Sequence, residues 1–504
     1  MNWSKASAAA AAVAQAWTQE GGPGGVILLF DADNIRAEAF GGRANLELDV
    51  AFRADTATRY ASISKQFFTA LLLLDGRISL DDPLGKHIEL PPALASVPVA
   101  RALDMTGGLP DVVDTMWLLG VRATATFDRH ALMRFVRTMP ALNFSPGAEI
   151  SYSNTGYRIL QAAFDAKGRE YGAAMHERLA IPLGLTISLP EDETDPVPHL
   201  ASGYWRGERG WQRGRYGLHI SASGGLTGSA LDLAAWGQAL MAGRGPAAGL
   251  LAHLGARRYL IDARPTAYGL GLARSVLPGE IVVGHGGSLP GYKNHFLMAP
   301  EHNVGVVVLS NREDTDAHGI TLQVLAALFD VALPESAKDL LPQGEFIADE
   351  GPFWITHKWG KLTWFGAEET LYAGEDGSAE SHSAHMPIRL KRVEDTITGE
   401  IGHGAHRFHC VQPALSARKS WAGPWMCPAQ HAGLEIDVAG GTARLAIGAG
   451  PLHEVLDLKP LDGERALMER DGDGPGRRRA VLQFSGNELL LASTRSRVLR
   501  FRRA

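Results

Sequence analysis

A chain of 504 residues, 45% hydrophobic and 21% charged, has an ordinary globular composition but is too long for one core, so two or three domains are expected. The formal charge of −6 argues against nucleic acid, whose partners carry a basic surface, while leaving a local pocket free to hold an anionic small molecule. No stretch approaches the roughly 18 apolar residues of a membrane span, so no membrane partner is expected. Only Cys410 and Cys427 are present, which excludes a disulfide scaffold and points to a reducing compartment, the cytoplasm.

The first residues, MNWSKASAAAAAVAQAW, carry an alanine run but lack the strongly apolar heart of an export signal, and are read as a helix of the mature protein. GGPGG then leads into VILLF, a short apolar run expected as a buried strand. A turn at 31–34 and a second strand with its loop follow. A helix opens around Ser62, SISKQFFTALLLLDG, and stops at Gly76. Helical pieces and turns continue to about residue 240. Between about 260 and 312 strands return as YGLGLARSV, EIVVGHGG, NHFLMAP and VGVVVLSNR, followed by a helix, GITLQVLAALFDVAL. Strands at both ends with helices between predict an α+β domain, one sheet covered by helices, rather than a parallel α/β sheet.

From about residue 345 the texture changes to short alternating segments such as GPFWITHKW, PIRLKRV, LEIDVAG and NELLLAS, parted by Gly, Asp and Asn turns. That pattern predicts antiparallel sandwiches or barrels. Breaks near 334–343 and 416–424 divide the chain into 1–333, 345–415 and 420–504.

Three short motifs can carry chemistry. In Ser62-Ile63-Ser64-Lys65 the serine and lysine share one helical face, so the amine can lie against the hydroxyl and, if desolvated, take its proton. The alternative is a helix-capping serine followed by a surface lysine. In Tyr152-Ser153-Asn154 a phenol and a carboxamide two residues apart can both face a cleft, Tyr152 to shuttle a proton and Asn154 to orient substrate and lysine; a simple turn is the alternative, and this copy is preferred over the rival Tyr292-Lys293-Asn294 because it follows the FSPG turn and lies between the other two motifs. His285-Gly286-Gly287 follows a clear strand, and its glycines let a substrate approach backbone donors. His253 and His431 open weaker matches, and a structural histidine is the alternative.

Taken in this order, the motifs resemble the class C β-lactamase-like family of penicillin-recognising serine hydrolases. The resemblance spans about residues 10–330 and includes MTGGLPD at 105–111, FSPGAEISYSNTGYRIL at 144–160, SASGGLTGSALDLAAW at 221–236, YGLGL at 268–272 and GHGGSLPGY at 284–292. It implies that Ser62 attacks the scissile carbonyl, with Lys65 and Tyr152 as the proton-transfer pair. It implies an oxyanion hole from the backbone N–H groups of Ser62 and Ser288 beside Gly287, substrate binding by Asn154, and a proton relay through His285. No metal or cofactor is implied, and no clustered metal-ligand spacing is visible.

His285 stands where the family's β-lactamases and carboxypeptidases usually carry lysine, and the resemblance therefore turns toward its esterases and D-aminopeptidases. Two trailing barrels favour the D-aminopeptidases, in which a loop of the last barrel selects a free amino group. The matching segment is RDGDGPG at 470–476, where Asp471 or Asp473 would pair with a substrate ammonium; an ordinary acidic turn is the alternative. The expected partner is a small peptide, amide or ester substrate, with a homodimer left open. A broad esterase and a non-catalytic binding protein are the competing readings.

Overall fold

In a computed structural model every residue is described except 123, 169, 192, 193, 220, 413, 414 and 472–476. Helix α1 (Trp3–Glu20) precedes strands β1 (Gly25–Asp31) and β2 (Ile35–Gly41). Then come α2 (Ser64–Asp75), α3 (Thr155–Asp165) and α4 (Ala230–Ala242). Strands β3 (Ala273–Leu277), β4 (Glu280–Leu289), β5 (Tyr292–Ala299) and β6 (Val304–Ser310) lead to α5 (Ala317–Phe329).

The six strands form one antiparallel sheet in the order β3-β4-β5-β6-β1-β2, so the N-terminal hairpin completes a sheet begun far along the chain. The unbroken apolar run in β1 follows from this position, because both faces are covered. Ile27 and Leu29 join α1 and α5 in one core, whereas Val26, Leu28 and Phe30 join α2 and α4 in the other. Helix α1 meets the sheet through Ala6, Ala10, Ala14 and Trp17, a spacing that keeps one helical stripe against it.

Two closed antiparallel barrels of eight strands each follow, spanning residues 344–410 and 423–503, with neighbouring strands adjacent in sequence. Pairing of Phe346 with Cys410, and of Trp425 with Arg503, closes each ring and leaves no open edge. The α+β class with trailing antiparallel barrels therefore holds, and closure settles barrel over sandwich. Cys410 and Cys427 are free thiols, the first exposed and the second buried. Among the described residues no helix is long and apolar enough to cross a membrane.

Both barrels touch the N-terminal domain beside Tyr152. The Ile150 N–H donates to the Gly402 carbonyl of the first barrel at 2.9 Å, and the Asp111 N–H donates to the Arg495 carbonyl of the second at 2.9 Å.

Candidate active site

Ser62 sits in a single 3-10 turn, Ala61–Ile63, directly before α2. Ala61 has a φ of 52° in the left-handed region, which costs a residue with a Cβ about 1–2 kcal/mol. Ala61 and Ile63 are buried while Ser62 is half-buried, so the turn presents only the serine. Residues 64–72 of α2 are all buried, among them Phe67 stacked on Trp236 at 4.6 Å between centroids and Phe68 edge-on to Tyr171 at 5.2 Å. This packing withdraws Lys65 from water.

The Lys65 Nζ reaches the Ser62 Oγ at 3.1 Å, the Asn154 Oδ1 at 2.9 Å and the Ser223 carbonyl at 2.6 Å. Burial pushes the Lys65 ammonium well below the usual lysine range; Asp111 opposes that shift and Arg495 adds to it. A neutral amine has two hydrogens and one lone pair, and two of its neighbours, the Asn154 and Ser223 carbonyl oxygens, can only accept. The lone pair is thereby left for the Ser62 hydroxyl, the one neighbour able to donate. The geometry is that of a base beside a nucleophile.

Asn154 is held in turn by Asp111, whose Oδ2 accepts from the Asn154 N–H at 2.7 Å and Nδ2 at 2.9 Å. Since a carboxylate only accepts, this pairing sets which end of the amide faces Lys65. The other Asp111 oxygen caps the helix Val112–Leu118 through the Asp114 N–H at 2.9 Å.

Tyr152 is buried, and its hydroxyl has no partner in hydrogen-bond geometry among the described residues. Burial raises its pKa above the usual phenol value; the nearby Ser62 hydroxyl and Arg495 oppose that rise. Its ring is surrounded: Lys65 Nζ lies 4.8 Å and the Arg495 guanidinium 4.7 Å from the centroid, with the His385 ring edge-on at 5.2 Å.

His285 is buried at 7% exposure, with Nδ1 at 2.6 Å from the Gly286 carbonyl and Nε2 at 2.7 Å from the Tyr268 hydroxyl. A carbonyl accepts only, so Nδ1 carries the hydrogen and Nε2 accepts from Tyr268. Both ring nitrogens are thus engaged within the protein. Burial, with Lys65 adding, pushes the histidine down to about 3.

That shift has a stability consequence. The unfolded chain protonates this histidine below its ordinary 6.5, while the folded chain refuses the proton until about 3. Stability is therefore full above 6.5 and is lost as pH falls toward 3. The unfolding midpoint is expected to drop across that window, and less steeply in His285→Gln. Parallel curves for the two proteins would contradict the assignment.

Gly287 has a packing reason that its sequence context does not announce. A Cβ there would stand 2.1 Å from the Tyr60 carbonyl oxygen, so the glycine lets β4 press against the turn that carries Ser62. Ser288 follows on the same strand, its Oγ accepting from Lys293 Nζ at 2.7 Å. The rival motif has structural employment: Asn294 Nδ2 donates to the Arg59 carbonyl at 2.8 Å, and the Tyr292 hydroxyl to Ala201 at 2.6 Å. His253 and His431 are exposed.

Ser62, Tyr152, Asn154, His285, Gly287 and Ser288 line one cavity of about 970 Å³, with Lys65 buried beneath it. Asp471 lines the same cavity from the end of its strand, opposite Arg477, whereas Asp473 lies outside the described residues. Among the described residues no group of three or more His, Cys, Asp or Glu is placed to hold a metal.

Sequence reasoning assigned no role to Asp111, Ser223, Tyr268, His385 or Arg495. The first three fall inside MTGGLPD, SASGG and YGLGL, segments already singled out. His385 and Arg495 lie in barrel loops with no motif to announce them.

This arrangement, an antiparallel sheet presenting a serine-lysine pair at a helix start, is that of a β-lactamase-like serine hydrolase. The Beta-lactamase family model matches residues 9–329. The chain belongs to that family and is a serine hydrolase. It is 27% identical over 459 residues, 87% of each chain, to a D-aminopeptidase of Cereibacter sphaeroides. It is 28% identical to a D-aminopeptidase of Gluconobacter oxydans, over 62% of this chain and 59% of that one. The fold is similar to an octameric penicillin-binding protein homologue from Pyrococcus abyssi, with a TM-score of 0.56, 20% identity and 96% coverage of both chains. It is also similar to D-amino acid amidase from Ochrobactrum anthropi SV3, with a TM-score of 0.56 and 20% identity over 64% of this chain and 99% of that one.

Proposed function

We propose that this chain is a D-stereospecific aminopeptidase or amidase that releases N-terminal D-residues from small peptides and amides through an acyl-enzyme on Ser62. The observation that carries the chemistry is the Lys65 Nζ 3.1 Å from Ser62 Oγ, desolvated and with its other two contacts on pure acceptors. Neutral Lys65 takes the Ser62 proton as the hydroxyl attacks the carbonyl, and the oxygen that becomes negative is received by the backbone N–H groups of Ser62 and Ser288. Tyr152, close to Ser62 and protonated in the resting state, passes a proton to the leaving amine and is reprotonated by the Lys65 ammonium, which returns to the neutral amine. Water then hydrolyses the ester.

His285 keeps Tyr268 in place against Tyr152, whose rings meet edge to face at 6.3 Å. The D-residue specificity is supported by the aminopeptidase relatives that align along most of the chain, barrels included. Asp471, on the cavity wall, is the described acid of the 470–476 segment, and in this reading it pairs with a substrate ammonium.

Four substrates test this reading: D-alanine p-nitroanilide, L-alanine p-nitroanilide, p-nitrophenyl acetate and a chromogenic cephalosporin. The D-anilide is expected to exceed the L-anilide by about tenfold or more in kcat/KM, the discrimination available from misplacing one substituent. Turnover of the ester alone would leave an esterase and end the peptidase assignment. Mass spectrometry of a slowly deacylating substrate should place the adduct on Ser62.

A further inference from the structure

The second barrel reaches the cavity with residues 493–497, a segment clamped by its backbone. The Arg495 N–H donates to Asp114 Oδ2 at 3.0 Å, and its carbonyl accepts from the Asp111 N–H at 2.9 Å and Asn143 Nδ2 at 3.0 Å. Ser493 Oγ donates to Asp114 Oδ2 at 2.6 Å, and Arg497 pairs with Glu149 at 3.1 Å. The loop is therefore held before any substrate arrives.

Ser493, Thr494 and Arg495 of this segment line the cavity, and the Arg495 guanidinium lies over the Tyr152 ring 4.7 Å from the centroid. Three other cations on the same wall are paired: Arg470 with Glu454 at 2.7 Å, Arg479 with Glu469 at 2.5 Å, and Lys293 with Glu313 at 2.8 Å. Among the described residues no carboxylate pairs with Arg495. A half-buried guanidinium offers a planar fork of donors that matches a carboxylate. In a peptide attacked at its first bond, the anion always present is the C-terminal carboxylate.

We propose that Arg495 binds the free carboxylate on the leaving side of the substrate, so that dipeptides with a free C-terminus are preferred over their amides. A substrate ammonium is repelled from this corner by Arg495, which orients a zwitterionic dipeptide with its carboxylate toward the second barrel. The substrate class rests on the peptidase reading; the anion site rests on the geometry of Arg495.

The test separates the two. Binding of D-Ala-Gly and of D-Ala-glycinamide is measured by calorimetric titration of the full chain carrying Ser62→Ala, which removes turnover. The free acid is expected to bind about tenfold or more tightly, the gain of a hydrogen bond to a charged group. Adding Arg495→Gln should bring the two affinities together, and Arg495→Lys should keep part of the difference. Equal affinities, binding of neither ligand, or a preference that survives Arg495→Gln overturns the proposal. Cleavage of both by the parent enzyme is followed separately. If the acid binds better yet is never cleaved, the peptidase reading fails and the carboxylate site stands. Cleavage of both without preference has the opposite meaning.

Discussion

Replacing Lys65 by methionine is expected to lower kcat/KM for ester and anilide alike by about a thousandfold or more. Methionine retains the length and burial of the side chain and removes the amine that meets the Ser62 hydroxyl. Ser62→Ala should cost at least as much, and the double variant little more than either, because the pair acts as one unit. The parent's pH profile carries the sign. In the proposed mechanism Lys65 works as the neutral amine, so activity is expected to rise as pH climbs through its pKa, which burial and Arg495 hold well below 10.5. Asp111 favours the ammonium, so Asp111→Asn moves that limb to lower pH even as it loosens Asn154. A Lys65→Met protein that is folded by circular dichroism yet retains most of its activity would remove lysine from the mechanism.

The second large effect belongs to a glycine. Gly287→Ala places a methyl 2.1 Å from the Tyr60 carbonyl and 3.3 Å from the Ala61 Cβ. Both neighbours are buried backbone or core, so neither can swing aside. Relief requires β4 to part from the turn bearing Ser62, and forced overpacking of this kind costs about 1–3 kcal/mol. Ser288 leaves with the strand, so the two N–H groups assigned to the oxyanion hole separate. Losing one such donor costs about a hundredfold in kcat. Gly287→Ala should therefore lower kcat by at least that factor, with a lower unfolding midpoint. Normal kcat in this variant would show that the β4 contact does not set the site.

Much of this was legible locally. The helix at Ser62 and the strand before His285 are short-range patterns of apolar residues and turns, and the serine-lysine pairing needs only one helical turn. The alternating segments beyond residue 345 likewise announce antiparallel strands, because side chains on successive residues face opposite sides. The reason for Gly287 was not legible, since a glycine in sequence does not say which backbone will press against it. Nor was the choice between the two Tyr-x-Asn copies decided by composition: Asn154 meets Lys65, while Asn294 is spent on the Arg59 carbonyl.

From sequence alone come the α+β class, the barrels and the pairing of Ser62 with its neighbouring amine, all properties of residues close along the chain. Tertiary structure alone decides that the amine is desolvated, that Asp111 orients Asn154, that His285 is neutral with both nitrogens engaged, and that Arg495 and His385 enclose Tyr152. The physical reason is the same in each case. Burial, charge and hydrogen-bond direction at the site depend on groups brought together from two barrels and a distant helix cap, and no local pattern encodes a neighbour that only folding supplies.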